Sequence, residues 1–228
     1  MSERKTDNTR NLTLAIFSLK DNTLIQAVGG GPWRCIVRMG CTTLEVMYDI
    51  AGRGMKNKLL VSACLMGFSV RYNGSEKANL TTQLARWQRE GRVVIHCPEL
   101  AAGLPTPRRP AEIVSADGAD VMGHHARIIE SDGRDVTAHY QLAAWLALQT
   151  AMEQHCGAAL LTDGSPTCGS QFIYDGSFSG IRKAGMGVAA ALLREHGIAV
   201  FSERQIPALI AWMEKTEEEY DPVSTRIR

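Results

Sequence analysis

Three of the six cysteines stand where a parallel sheet would bring them together. Cys64, Cys97 and Cys168 each follow a short apolar run of the kind that forms a buried strand. The runs are 58–63 (KLLVSA), 92–96 (RVVIH) and 158–162 (AALLT). Ligands of open parallel sheets bind in the crevice outside the carboxyl ends of the strands. We therefore predict that the three thiols converge at one edge of a sheet.

Three converging thiolates suit more than one kind of site. Zinc would take three sulfurs and a fourth ligand, whereas a cubane iron–sulfur cluster would take three and leave one iron open. A redox cysteine would need a resolving partner, which the spacing does not identify. None of the cysteines forms a CxxC pair, so neither a zinc ribbon nor a thioredoxin motif is indicated. The residues by themselves leave zinc and iron–sulfur both open.

The other three cysteines carry weaker signals. Cys156 is predicted on the last turn of a long helix, where a free cysteine packs as a small apolar side chain. Cys35 and Cys41 fall within residues 1–57, which contain a Gly-Gly-Gly-Pro breaker and show no clear amphipathic period. We interpret residues 1–57 as an extension that is either disordered or not part of the native protein.

Strands and helices alternate regularly from residue 58 onward, and a fourth strand is predicted over 198–202 (IAVFS). Helices are predicted over 75–90, 136–156, 187–196 and 207–219, with Ser75 as a cap of the first. The second helix carries its large apolar residues on one side: Leu142, Trp145, Leu146 and Met152. This alternation predicts an α/β fold with a doubly wound, mainly parallel sheet in three layers, Rossmann- or flavodoxin-like. Residues 58–228 form one domain, with an insertion at 100–135.

Composition excludes several classes of partner. The formal net charge is +1, which gives no electrostatic case for nucleic acid or for an anionic membrane. No apolar run approaches the roughly 18 residues of a membrane span, and the polar N-terminus lacks the apolar core of a signal peptide. We expect a cytoplasmic protein whose partner is a small molecule, and the sequence sets no oligomeric state.

Six short motifs carry a family resemblance. They are VSACLMG (61–67), RYNG (71–74), CPE (97–99), GLPTPR (103–108), SPTCG (165–169) and YDG (174–176). In this order and spacing, residues 58–204 resemble the thiouracil desulfidase family. The resemblance implies a 4Fe-4S cluster held by Cys64, Cys97 and Cys168, with the fourth iron free for the sulfur of a thiolated pyrimidine. The implied reaction is non-redox desulfuration, in which 2-thiouracil becomes uracil and sulfide leaves.

The resemblance also implies two catalytic residues, Glu99 of the CPE motif and Ser165 of the SPTCG motif. Water must attack the ring carbon for oxygen to replace sulfur, so a base must take a proton. Glu99 is suited to that role, and Ser165 could relay a proton or bind the developing tetrahedral species. A soft cluster iron would stabilise the departing sulfur. The alternative is a non-hydrolytic iron–sulfur or zinc binding protein in sulfur transfer or redox sensing.

Several further residues receive weaker assignments. Ser62, Arg71 and Asn73 are candidate substrate-binding residues, although loop-stabilising hydrogen bonds explain Arg71 and Asn73 equally well. Arg108 and Arg109 are interpreted as a solvated basic pair. A glycine-rich loop over residues 176–187 precedes the third helix. It could bind an anion through backbone amides, or it could close over the cluster.

Overall fold

The computed structural model describes residues 34–39, 42–47, 57–77 and 82–218. The chain divides into two compact units, Met1–Met55 and Lys56–Arg228. In the first unit, strands β1 (Arg34–Met39) and β2 (Thr42–Met47) form an antiparallel hairpin. Cys35 lies in β1, and Cys41 lies outside the described residues. The interpretation of residues 1–57 as an extension stays a prediction.

The second unit alternates strands and helices. In chain order it contains β3 (Lys58–Ser62), a 3-10 turn (Ala63–Met66), α1 (Thr82–Arg89), β4 (Val93–His96), α2 (Pro98–Ala101), β5 (Ala111–Val114), α3 (Gly118–Met122), β6 (Arg127–Glu130), α4 (Thr137–Glu153), β7 (Cys156–Leu161), β8 (Phe172–Tyr174), β9 (Arg182–Ala184), α5 (Val188–Glu195), β10 (Ala199–Ser202) and α6 (Ile206–Glu218).

Four strands form the central sheet in the order β10-β7-β3-β4, and every neighbouring pair is parallel. Val61 in β3 lies between Ile95 of β4 and Leu160 of β7. The side chains of β3 are almost wholly buried, as expected of a parallel strand with helices on both faces. The predicted α/β fold with a Rossmann-like parallel sheet is confirmed, because all four predicted strands occupy this sheet.

Strand alternation directs the apolar residues into two cores. Leu60 packs on the face covered by α4 and α5, together with Ala159 and Leu193. Leu59 and Val61 point to the opposite face, where α1 and α6 supply Leu84, Trp87, Leu209 and Met213. Burial on both faces fixes the register of β3, because a slip by one residue would exchange its two sets of side chains.

The predicted insertion contains an antiparallel pair, β5 and β6, joined through α3. A capping box starts α3, in which the Asp117 side chain accepts the N–H of Asp120 and the Asp120 side chain accepts the N–H of Asp117. Gly118 packs against Gly187, and a Cβ on Gly118 would lie 2.4 Å from the carbonyl carbon of Gly187. This contact permits the close approach of α3 and α5.

The prediction about α4 was wrong in two respects. The helix ends at Glu153, and Cys156 begins β7, where it is buried. Three of the four large apolar residues of that side are exposed: Leu142, Trp145 (52% accessible) and Met152 (59%). The buried side instead holds four alanines, Ala143, Ala144, Ala147 and Ala151, together with Tyr140 and Leu148. Alanine lets α4 approach the sheet and α5 closely, whereas the bulk of an apolar residue does not reveal which side faces the core.

The other helix predictions differ in smaller ways. α1 begins at Thr82, so Ser75 does not cap it, and residues 78–81 lie outside the described part of the chain. None of the helices in the described ranges combines the length and the apolar character that a membrane span needs.

Candidate active site

The three cysteines lie at the carboxyl edge of the sheet, as the apolar runs predict. Cys64 sits in the 3-10 turn after β3, and Cys97 directly follows β4 as the cap residue of α2. Cys168 lies in the loop after β7. All three contribute to the wall of one cavity of about 430 Å³. Cys64 and Cys168 are buried, and Cys97 is half-buried.

Burial affects the pKa of all three thiols, and neighbouring thiols add to the effect at Cys64 and Cys168. Burial raises the pKa of Cys64 to about 11, with a further contribution from Cys97. Burial also raises the pKa of Cys97. It raises the pKa of Cys168 as well, and Glu99, Cys64 and Cys97 raise that value further. Burial therefore favours the neutral form of all three thiols. A metal centre would take the place of those protons.

Three thiols in one cavity wall form a donor set that suits a thiolate-bound metal centre. Among the described residues, no three His, Cys, Asp or Glu side chains form a site for one metal ion. A cubane cluster would take one thiolate on each of three irons, and the three cysteines supply that number of ligands.

A buried carboxylate stands beside the thiols. Glu99 in α2 is 8% exposed and lies in the cavity wall. Its Oε1 accepts hydrogen bonds from Thr167 Oγ1 at 2.7 Å and from Ser165 Oγ at 3.1 Å. Its Oε2 forms an ion pair with Arg108 Nη2. Contacts to both oxygens fix the carboxylate and balance its charge.

The interpretation of Arg108 as part of a solvated pair was wrong. Its side chain is 5% exposed, and Nη1 donates to the carbonyl oxygens of Pro105 at 3.1 Å and Val70 at 3.3 Å. Burial alone would lower the pKa of Arg108, but Glu99, Tyr140 and Cys97 together outweigh it, so the pKa is raised. Arg108 therefore remains charged. Arg109 is exposed and pairs with Asp132, as expected of a solvated side chain.

Ser165 connects the carboxylate to the cysteine loop. While its hydroxyl donates to Glu99, the same oxygen accepts the backbone N–H groups of Thr167 and Cys168, each at 3.1 Å. Thr167 is fully buried and was not among the functional residues predicted from the sequence. Its hydroxyl group next to Cys168 in the SPTCG motif was the available signal.

The structure brings two of the three candidate substrate-binding residues to the cavity. Ser62 is buried and Arg71 is half-buried, and both lie in the wall. Asn73 is exposed and does not line the cavity; its Oδ1 accepts Ser75 N–H at 3.1 Å and Ser75 Oγ at 2.6 Å. Asn73 thus stabilises the turn after β3. Substrate-binding roles for Ser62, Arg71 and Asn73 stay predictions.

A second carboxylate shapes the loop that carries Cys168. Asp163 follows β7 and is buried. Its Oδ1 accepts the backbone N–H groups of Ser170 at 2.8 Å and Gln171 at 2.9 Å. Both ends of the segment 163–171 are thereby joined, which holds Cys168 in a fixed loop.

A third carboxylate links that loop to the segment carrying Cys64. Glu203 follows β10, and its Oε2 accepts the Asp163 N–H at 2.9 Å. Its Oε1 forms an ion pair with Lys77 Nζ, and the backbone N–H of Lys77 donates to the Cys64 carbonyl at 2.9 Å. Glu203 thus connects the backbones around two of the three thiols.

The Glu203→Gln variant is expected to lose stability mainly at neutral pH. Burial raises the pKa of Glu203, but Lys77 and the Asp163 N–H outweigh burial, so the pKa lies below its usual value. A depressed folded-state pKa stabilises the protein above the unfolded pKa, and this contribution disappears as the pH falls through the folded pKa. We expect the free energy of unfolding to fall by about 1 kcal/mol at pH 7. Denaturant titration should show the difference from wild type shrinking below about pH 4; an equal difference at every pH would contradict the assignment.

Comparison with known proteins identifies the family to which this chain belongs. The family model described as 2-thiouracil desulfurase matches residues 59–205. The uncharacterized protein YbbK of Bacillus subtilis (strain 168) is 44% identical over 148 residues, which cover 65% of this chain and 97% of YbbK. The solved structure of the 4Fe-4S-dependent thiouracil desulfidase TudS aligns with a TM-score of 0.63 and 45% identity, covering 70% of this chain and 99% of that one. The resemblance seen in the motifs is confirmed, and the chain belongs to the 2-thiouracil desulfurase family.

Proposed function

We propose that this protein is a desulfidase that uses a 4Fe-4S cluster to replace the sulfur of a thiolated pyrimidine by oxygen. The single observation that carries the proposal is the cavity that the three thiols share with the charge-balanced Glu99. Family membership and the likeness to a 4Fe-4S-dependent thiouracil desulfidase support it. Cys64, Cys97 and Cys168 would hold the cluster by three thiolates, leaving one iron open.

The reaction balances without electron transfer. Water supplies the oxygen of the new carbonyl group, the carbon–sulfur bond breaks, and sulfide leaves with the protons of that water. When bound, an open iron supplies a soft Lewis acid for the sulfur of the substrate. The proton transfers remain for the protein side chains.

Glu99 is the base in this proposal. Its carboxylate lies in the cavity wall with both oxygens held, so it is oriented before substrate arrives. Arg108 pairs with one oxygen of the carboxylate and balances its charge, and a carboxylate held in this way can accept a proton from the attacking water. Ser165 donates to the same carboxylate and can pass a proton between Glu99 and the reacting centre.

The arrangement of Glu99 favours catalysis over the alternative, an iron–sulfur or zinc protein that only binds or transfers sulfur. Such a protein needs ligands but no base. Here a buried carboxylate is fixed beside the thiols by an arginine and two hydroxyls. A carboxylate held in the cavity wall in this way is placed to exchange a proton with a bound ligand.

Anaerobic purification followed by a turnover assay tests the proposal. We expect a brown protein with about four irons per chain, as in a cubane, that releases uracil and sulfide in equal amounts from 2-thiouracil. Iron and acid-labile sulfide are measured on the same sample. A colourless protein with tightly bound zinc, or a loaded protein that releases no sulfide, would contradict the proposal.

A further inference from the structure

The loop between β8 and β9 presents an aromatic side chain to the cavity. Phe178 and Gly180 of this loop belong to the wall, next to Tyr174 at the end of β8. Phe178 is 38% exposed, although a phenyl ring gains from burial. Its φ is +57°, in the left-handed region that bulky residues rarely adopt. An exposed ring on an unfavourable backbone requires an explanation.

A buried carboxylate imposes this backbone conformation. Glu112 lies in β5 and is 8% exposed. Its Oε2 accepts the N–H of Phe178 at 3.1 Å and the N–H of Gly176 at 2.9 Å. Gly176 itself has φ +94°, and a Cβ there would lie 2.8 Å from the carbonyl oxygen of Ile113. The loop is therefore pressed against β5 by two hydrogen bonds on one carboxylate oxygen.

Hydrogen bonds within the loop also stabilise its conformation. Asp175 Oδ1 accepts the Ser177 N–H at 3.0 Å and the Ser177 hydroxyl at 2.6 Å. The Asp175 N–H donates to the Ile181 carbonyl at 3.1 Å and closes the base of the loop. These bonds hold the backbone of Phe178 in place and leave its ring uncovered. Strained backbone persists where the surroundings determine it, and it concentrates at sites that bind ligands.

We propose that Phe178 is the platform on which the planar ring of the substrate stacks, a role that rests on the desulfidase function proposed above. The cavity holds three thiols and a carboxylate for the reacting end of the ligand. A heteroaromatic ring also needs a flat apolar surface, and an aromatic side chain offers it with favourable stacking for any base. Glycine or asparagine would satisfy the turn with less strain, so the phenyl ring serves the ligand and not the loop.

Substitutions at Phe178 test this role in the cluster-loaded protein. We expect Phe178→Ala to raise KM for 2-thiouracil by about 10- to 100-fold, the loss typical of one base–aromatic stack, with unchanged cluster absorbance. Phe178→Tyr keeps the ring and should restore KM to within about threefold. Phe178→Leu keeps the apolar bulk but has no π-face, so it should not restore KM. Ile181→Ala removes an exposed apolar side chain from the same loop outside the cavity wall and serves as the matched control.

Binding without turnover separates the two proposals. The dissociation constant of carbon-14-labelled uracil, measured by equilibrium dialysis on the loaded proteins, should rise for Phe178→Ala and not for Ile181→Ala. If no sulfide is released but uracil still binds in a Phe178-dependent way, stacking stands and the desulfidase assignment falls. If sulfide is released and Phe178→Ala leaves KM and uracil binding within twofold of wild type, the stacking role is overturned and the desulfidase assignment stands. The same conclusion follows if sulfide is released and Phe178→Leu restores both KM and uracil binding. Absence of any uracil binding overturns the stacking role as well.

Discussion

Protein in which Cys168 is replaced by alanine is expected to hold no stable cluster and to release no sulfide. Cys168 is buried beside the other two thiols, and no other cysteine among the described residues lines the cavity. The two remaining thiolates cannot supply the third ligand of a cubane that three cysteines hold. Iron analysis and visible absorbance after anaerobic reconstitution should both fall to background.

Cys156 provides the matched control for this experiment. It is as buried as Cys168, and burial raises its pKa to about 11, yet it lies in β7 away from the cavity. Cys156→Ala should therefore keep both the iron content and the turnover of the wild type. Equal loss of iron in the two variants would mean that the effect comes from disturbed packing. Full iron content in Cys168→Ala would remove Cys168 from the ligand set.

Glu99→Gln is expected to keep the cluster and lose turnover. Glutamine preserves the size of the side chain and an oxygen that can accept the Thr167 hydroxyl, but it cannot take a proton and has no charge for Arg108. Removal of a general base lowers rates by roughly 10²- to 10⁴-fold. The ratio of kcat to the iron content of each preparation measures the effect independently of cluster loading.

A second buried carboxylate controls for general destabilisation. Glu130 is 1% exposed and forms an ion pair with Arg134 at 2.6 Å, outside the cavity wall. Glu130→Gln removes a buried charge from an arginine as Glu99→Gln does, but it should leave kcat near the wild-type value. A Glu99→Gln variant with kcat within tenfold of wild type would refute the assignment of Glu99 as the base.

The position of the thiols could be predicted from the sequence because it depends on local signals. Apolar runs mark the buried strands, and the residue after each run must lie at the carboxyl edge of a parallel sheet. Cys64, Cys97 and Cys168 were therefore predicted at one edge of the sheet, and in the structure all three lie in the wall of one cavity. Their role as cluster ligands stays a prediction that the experiments above address.

The partners of Glu99 could not be predicted in the same way. Arg108 reaches Glu99 only because its loop folds back so that the backbone carbonyls of Val70 and Pro105 hold the guanidinium. The contact with Val70 joins residues 38 positions apart in sequence, and a proline-rich stretch with two arginines resembles a solvated loop. Thr167 was missed for a similar reason, since its burial depends on tertiary packing.

Two other features depend on packing that the pattern of residues does not encode. Four of the six buried residues of α4 are alanines, and hydrophobic periodicity weighs large side chains such as Trp145 above them. The conformation of Phe178 depends on Glu112, a charged residue in a short strand that would be expected to face solvent. Here a buried carboxylate accepts backbone N–H groups from a distant loop.

Turnover of 2-thiouracil in water labelled with oxygen-18, without any added reductant, tests the central claim most directly. The anaerobically reconstituted protein should convert 2-thiouracil to uracil that carries one oxygen-18 atom, with one sulfide released per uracil. Mass spectrometry of the uracil and a colorimetric assay of sulfide read both products from one reaction. Unlabelled uracil, a requirement for reductant, or no uracil at all would contradict the account.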